Sequence, residues 1–321
     1  MQRVFVTGGS GFIGTNLMGR LADLGIEAVN FDWNAPRDPT MARMHVAGDI
    51  LDCEGLAAAM KRFQPDAVIH LAARCDLRGA TLEDYRANTV GVENVIRAVR
   101  TTSSVSRVIF ASSRYVHRND VQPRRDDEYS PFTMYGASKA EGEKIVRASN
   151  LDVPWLIIRP TSIWGPWFDV PYRTFFDAVR KGVYVHPLGE RLYKSFGFVG
   201  NVVHQICAMG MLPIEPFGKR TLYVADYEPV EVRWMAERIR SEFSAPAVRD
   251  VPLPVLRGVA RLGDLCQKAG WKNPPLTSFR LTNLRCQMVY DMSATREVVG
   301  AVPYSMEEGI ARTAAWMRRT N

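Results

Sequence analysis

The chain has 321 residues, 46% apolar, 23% charged and 10% aromatic, with a formal net charge of +7 at pH 7. That length supports a large core and two lobes, and the composition is globular, without low-complexity tracts or internal repeats. The basic residues are scattered, with no dense run and no interleaved aromatics. The charge therefore argues against a nucleic-acid surface and for a solvated basic face or a pocket for a small anion.

The chain opens at once on RVFVTGG, which lacks the basic start, apolar run and small-residue site of a secretory signal. No apolar run approaches the ~18 residues of a membrane span. The nearest, FVGNVVHQICAMGML, is interrupted by Asn201, His204 and Gln205 and reads as a half-buried helix. Cys53, Cys75, Cys207, Cys266 and Cys286 show neither metal nor redox spacing. The expectation is a cytoplasmic protein with reduced thiols, no metal centre and no membrane insertion.

In chain order, RVFVT (3–7) is a short apolar strand. Phe12, Ile13, Leu17, Leu21 and Leu24 then follow helical spacing up to Gly25. EAVNFD (27–32) and MHVAGD (44–49) are strands, GLAAAMKRF (55–63) a helix, AVIHLAA (67–73) a strand and ENVIRAVR (93–100) a helix. RVIFASS (107–113) is a strand, PFTMYGASKAEGEKI (131–145) a loop running into a helix, and PWLIIRP (154–160) a strand. Strands alternating with helices, and apolar on both faces, predict an α/β fold with a parallel sheet covered on both sides. After Pro160 the rhythm changes, and prolines, glycines and aromatics cluster from Trp164 to Tyr193. TLYVAD (221–226) reads as a strand returning to the sheet. The predicted division is a dinucleotide-binding domain of residues 1–164 plus 196–228, and a smaller α/β substrate lobe of residues 165–195 plus 229–321.

The first strand runs into TGGSGFIG, with Gly8, Gly11 and Gly14 three apart. Between a strand and an amphipathic helix, glycine serves a tight turn, close backbone approach to a pyrophosphate, and close helix–sheet packing. The amides that open the helix, at Phe12 and Ile13, then face the anion. Asp32 ends the second strand, where a carboxylate accepts the ribose hydroxyls and repels a 2′-phosphate, favouring NAD over NADP. Arg37 nearby is the counter-argument, since an arginine can bind that phosphate. Asp49 and Ile50, in GDI, close the third strand, and Asp49 is either an adenine contact or a plain loop carboxylate.

Tyr135 and Lys139 lie one helical turn apart and share a face. A free phenol titrates near 10 and is a poor base at pH 7, but a nearby ammonium favours the phenolate. Such a tyrosine can take a proton from a secondary alcohol as hydride leaves the same carbon. A hydroxyl that holds the substrate oxygen is expected at the end of RVIFASS, at Ser112 or Ser113.

TGGSGFIG, GDI, HLAA (70–73), FASS and YGASK, followed by RPTSIWGP, make the chain resemble the extended short-chain dehydrogenase/reductases, most of all their nucleotide-sugar epimerase/dehydratase branch. The resemblance covers nearly the whole chain and is strongest over residues 3–165. It implies a Rossmann domain holding NAD, a C-terminal lobe gripping a nucleoside diphosphate sugar, and Ser113, Tyr135 and Lys139 as the catalytic set. It places Leu71, Ala72, Ala73, Asn88 and Pro160 along the cofactor, beside Tyr135 and Lys139. It also implies a homodimer, through the helix around 85–101 and the one starting at Tyr135.

The departures narrow the activity. The Asp-Glu pair with which the dehydratases eliminate water is here Arg114 and Tyr115, and arginine is no general acid or base at pH 7. His117 stands where the family has a tyrosine, and reads as an ordinary loop residue or as a pH-switch or ligand candidate. Ser162 replaces the family's asparagine, Lys194-Ser195 its basic-acidic pair, and Gly200 and Asn201 its aspartates. Arg74, Ser112, Arg114, Ser162 and Lys194 are the substrate-side candidates. Trp164, Trp167, Phe168 and Tyr172 line a sugar or base pocket or are core between the lobes. The leading expectation is an NAD-dependent nucleotide-sugar epimerase acting at C4 through a transient 4-keto sugar. The alternatives are a reductase or dehydrogenase of a 4-keto nucleotide sugar or hydroxysteroid-like alcohol, to whose relatives PPLT and the C-terminal ending are also similar, and a non-catalytic dinucleotide-binding protein.

Overall fold

The structure is a computed structural model and describes all residues except 120, 122, 272, 273 and 321. Its centre is a parallel sheet of β1 (Arg3–Thr7), β2 (Glu27–Asp32), β3 (His45–Ala47), β4 (Ala67–His70), β5 (Arg107–Ala111) and β6 (Trp155–Pro160), plus a seventh strand from later in the chain. The first helices are α1 (Phe12–Asp23), α2 (Cys53–Phe63), α3 (Val90–Arg100) and α4 (Met134–Ala148). Then come β7 (Ser162–Trp164), α5 (Tyr172–Arg180), β8 (Val185–Pro187), β9 (Tyr193–Lys194), β10 (Phe196–Phe198), α6 (Val199–Met211), α7 (Ile214–Phe217) and β11 (Arg220–Val224). The chain ends with β12 (Val230–Glu231), α8 (Val232–Phe243), β13 (Arg249–Val251), α9 (Leu253–Lys268), α10 (Ser278–Arg285), α11 (Ser293–Val299) and α12 (Met306–Arg319).

The sheet order is β11-β6-β5-β4-β1-β2-β3, every neighbour parallel. The order reverses between β1 and β4, where ligands of such sheets bind, beyond the carboxyl ends of the strands. Side-chain alternation builds two cores. Val4, Val6, Ile69, Ile109, Leu156 and Ile158 pack on the face covered by α1 and α6. Phe5, Val68, Val108, Phe110 and Ile157 pack on the face covered by α2, α3 and α4. Strands buried on both faces must be apolar throughout, which is why their periodicity is weak in the sequence.

The strands read from sequence are present, with MHVAGD, AVIHLAA, RVIFASS and TLYVAD each ending earlier than read. MHVAGD yields pairing only over His45–Ala47, because Pro39–Met44 winds into a 3₁₀ turn and Gly48 closes against the Phe31 ring. The returning strand is β11, paired to β6 at the sheet edge. In the later part of the chain β8 pairs with β13 and β9 with β12, while α5 packs on α8 and α9 on α10. α11 packs on α6 and β11. Trp164 and Phe168 are core rather than pocket: Trp164 stacks on Phe176 and meets Phe198, and Phe168 lies edge-on to Phe176. No helix among the described residues is long and apolar enough to cross a membrane.

Candidate active site

The switch point is floored by the glycine turn. Gly8 has φ +77°, and a Cβ there would stand 2.4 Å from the Ala72 amide nitrogen. A Cβ on Gly14 would stand 2.2 Å from the Gly8 carbonyl oxygen. These two glycines are therefore required by the close passage of the turn, β4 and α1. α1 starts at Gly11 with no side-chain cap, so the amides of Phe12 and Ile13 are the free donors of a helix start.

Asp32 is fixed at the end of β2, where its carboxylate accepts from the Ser10 and Asn34 amides at 3.1 and 2.9 Å. Arg37 does not reach for a phosphate. Its guanidinium is committed to the Asp169 carboxylate at 2.6 Å, the Trp167 carbonyl and the Ser10 carbonyl. This turn, this uncapped helix and this carboxylate fit a dinucleotide with free ribose hydroxyls. Asp49 is a loop carboxylate that accepts from the Leu51 amide at 2.9 Å. The Ile50 side chain is buried against Gly91 of α3 and its carbonyl accepts from Asn94, so it belongs to the core.

Leu71, Ala72 and Ala73 leave β4 beside the turn, the first two tied to Thr7. Asn88 is buried and fully employed: it grips the Arg74 backbone at 2.9 and 3.0 Å and the Ser138 hydroxyl of α4 at 2.8 Å. It positions the cleft wall and α4. Pro160 ends β6 opposite Val224. The Arg74 side chain turns to Asp76 and the Asp84 carbonyl, and lies over the Tyr85 ring, so it is not free for a substrate.

Ser112 and Ser113 point to opposite sides, as successive extended residues must. Ser112 lines a small buried void with His70, Asn88, Lys139 and Glu143, and its hydroxyl has no partner there. It belongs behind the site rather than to a substrate surface. Ser113 faces Tyr135, whose phenol it hydrogen-bonds, and its hydroxyl also accepts from the Tyr115 amide at 3.2 Å.

Tyr135 is half-buried between the rings of Tyr85 and Tyr115. Its pKa differs from the expectation: burial, then the Cys75 thiol, hold the phenol well above its ordinary value, and Ser113 opposes them. Lys139 lies on the same face, but its ammonium donates to the Ala111 carbonyl at 2.6 Å, and burial lowers its own pKa. Without a further positive charge in the cleft the phenol stays protonated. Cys75 was not singled out by the sequence reading, although it stands two residues beyond HLAA.

His117 is neither ligand nor surface group. It is buried, stacks on Tyr129, and its Nε2 lies 3.2 Å from the Arg159 guanidinium. Burial and then Arg159 push it down to about 4, while burial and then Lys139 push His70 to about 3. The unfolded chain binds both protons near pH 6.5, whereas the folded chain refuses them down to those values. These two groups thus favour the folded state fully above pH 6.5, and that contribution is lost as pH falls, by about 1.4 kcal/mol per pH unit for each histidine. Urea midpoints measured at neutral and mildly acid pH should fall accordingly, and an unchanged midpoint would refute the assignment.

The substrate-side residues turn inward. Ser162 is buried in β7 and hydrogen-bonds Tyr172. The Ser195 hydroxyl accepts from the Tyr290 amide at 3.0 Å. Lys194 donates to the Asn283 carbonyl at 2.6 Å. Arg114 is buried, donates to Asn119 and lies 4.3 Å over the Tyr115 ring. Among the described residues no His, Cys, Asp and Glu group could hold a metal ion.

A family model described as the NAD dependent epimerase/dehydratase family matches residues 4–191. The chain belongs to this family. It is an NAD-dependent enzyme of the extended short-chain dehydrogenase/reductase type. It is 29% identical to a 3 beta-hydroxysteroid dehydrogenase/Delta 5→4-isomerase of Mycobacterium tuberculosis, over 94% of this chain and 86% of that protein. It is 27% identical to a 2-alkyl-3-oxoalkanoate reductase of Stenotrophomonas maltophilia, over 98% of this chain and 99% of that protein. The solved structure of MoeE5 in complex with UDP-glucuronic acid and NAD superposes with a TM-score of 0.74 over 99% of this chain and 100% of that one, at 20% identity.

Proposed function

We propose that this family member interconverts a secondary alcohol and its ketone by a single hydride transfer, as a dehydrogenase or reductase whose substrate need not carry a nucleotide. The observation that carries this reading is the inward turn of Ser162 and Ser195, each engaged with protein groups where nucleotide-sugar relatives present binding residues. The steroid dehydrogenase and oxoalkanoate reductase relatives support it. NAD, when bound, supplies the hydride acceptor and a positive charge beside the phenol. Gly8, Gly11 and Gly14, the amides of Phe12 and Ile13, and Asp32 would hold it. Tyr135 takes the alcohol proton, Ser113 holds the substrate oxygen, and Lys139 lends its charge to the same pocket.

The second reading is the nucleotide-sugar epimerase, acting at C4 through a keto intermediate, with a uridine diphosphate sugar as in the MoeE5 complex. The two readings differ in what the cofactor does between turnovers. Protein purified without added cofactor should release little NAD on denaturation if hydride is transferred once and the cofactor exchanges. Near-stoichiometric NAD, retained because each cycle regenerates it, would favour the epimerase. The expected homodimer remains part of this proposal. The outer faces of α3 and α4 carry exposed Arg97, Arg100 and Lys144, so such an interface would be largely polar.

A further inference from the structure

Two neighbouring cations, Arg114 and Lys194, are buried without a carboxylate, and Arg114 directly follows Ser113. Arg114 is 3% exposed and Lys194 is 7% exposed. Burying a charge is costly unless a counter-charge repays it. The protein observes that rule elsewhere: buried Arg159 holds buried Glu143 in a two-point ion pair. Arg114 and Lys194 have only neutral partners. Arg114 donates through Nη1 to Asn119 Oδ1, Asn119 donates to Asn283 Oδ1 at 3.4 Å, and Lys194 donates to the Asn283 carbonyl. Arg114 also meets the buried Tyr290 hydroxyl, a further neutral partner. The wall is a set of donors without an anion.

We infer that Arg114 and Lys194 hold a substrate carboxylate a few bonds from the alcohol carbon served by Tyr135. This rests on the alcohol–ketone reading above. Position decides which anion is meant. Arg114 directly follows Ser113, and the Tyr115 ring under its guanidinium is edge-on to Tyr135 at 5.7 Å. The diphosphate of a nucleotide sugar is attached at C1, across the ring from C4, so a cation beside the reacting carbon meets a different group. A guanidinium fork matches a planar carboxylate. Burial and then the Arg114 charge push Lys194 down to about 7, so an arriving anion would restore its full charge. Such a carboxylate has two chemical sources, a free hydroxy or keto acid and a nucleotide-linked uronic acid.

The test is binding, which does not need Tyr135 to act. The full chain loaded with NAD is titrated calorimetrically with 3-hydroxyoctanoate and its methyl ester, then with UDP-glucuronic acid and UDP-glucose. One acid should bind at least about tenfold tighter than its neutral partner, a difference of roughly 1.4 kcal/mol. A preference within the first pair assigns the free acid, and one within the second the uronic acid. Arg114→Gln and Lys194→Met should each erase the difference, with the circular dichroism of the native fold retained. Equal binding within both pairs, no binding by either acid, or a preference that survives both variants overturns the inference. Inorganic phosphate binding here more tightly than either acid would also overturn it. The Tyr135→Phe variant separates this outcome from failure of the catalytic reading: it should keep the preference while losing turnover.

Discussion

Replacing Tyr135 by phenylalanine is expected to lower kcat by about 10³-fold, within the 10²–10⁴ range of general acid–base catalysis, while leaving NAD binding intact. The ring itself is a packing element. It meets Tyr85 at 6.3 Å and Tyr115 at 5.7 Å, and phenylalanine keeps both contacts. What is lost is one hydroxyl, hydrogen-bonded by Ser113 and neighbouring the Cys75 thiol. Burial makes that hydroxyl a weaker acid than free tyrosine, and Lys139 spends one hydrogen bond on the Ala111 carbonyl. The phenol therefore gains basic character only when a second positive charge enters the cleft, so its protonation should be coupled to cofactor binding. Absorbance titration of the phenolate should show an ionisation that moves to lower pH on adding NAD and is missing from the variant. A variant that keeps kcat within tenfold of the parent would end the proposed mechanism.

How much of this was legible in the sequence follows from the range of each interaction. The glycine turn, Asp32 and the Tyr135–Lys139 pair are local patterns, because a turn, a strand end and one helical turn are fixed by near neighbours. Strand–helix alternation likewise predicted a parallel sheet covered on both faces, although not its strand order. Side-chain orientation was not legible. Arg74, Arg37 and His117 were each plausible ligands by residue type, yet each is held by a group distant in sequence or by competing backbone: Arg37 by Asp169, His117 by Arg159. Ile50 followed a family pattern into the core, because α3 packs over it with Gly91. Trp164 and Phe168 looked equally like pocket and core, and only the docking of α5 and the Phe198 ring distinguishes them. The Arg114–Lys194 wall joins residues far apart in sequence, and the missing carboxylate that gives it meaning could not be read from either.

The second large effect should come from a residue that touches no substrate. Glu143 lies one turn beyond Lys139 on α4, and both oxygens of its buried carboxylate pair with Arg159 on β6, at 2.8 and 2.7 Å. The Tyr129 hydroxyl adds a bond to Glu143, and the Asp126 carbonyl one to Arg159. Changing Glu143 to alanine leaves the Arg159 guanidinium buried with neutral partners, which should cost roughly 3–5 kcal/mol of stability. Replacing both partners with apolar residues of similar volume, Glu143→Leu with Arg159→Met, removes the stranded charge and should recover much of that loss. Denaturant unfolding of the parent, the single variant and the double variant measures the coupling. A single-variant loss below about 1 kcal/mol, the worth of a solvent-exposed pair, would show that the pair is not behaving as a buried one. Cys75, and then Glu143, raise the pKa of Lys139 against the burial that lowers it. The stable double variant should therefore fold yet show its Lys139 ionisation displaced to lower pH, and an unmoved ionisation would refute this second role. The ion pair then has two separable roles, seating α4 against β6 and raising the pKa of the active-site lysine.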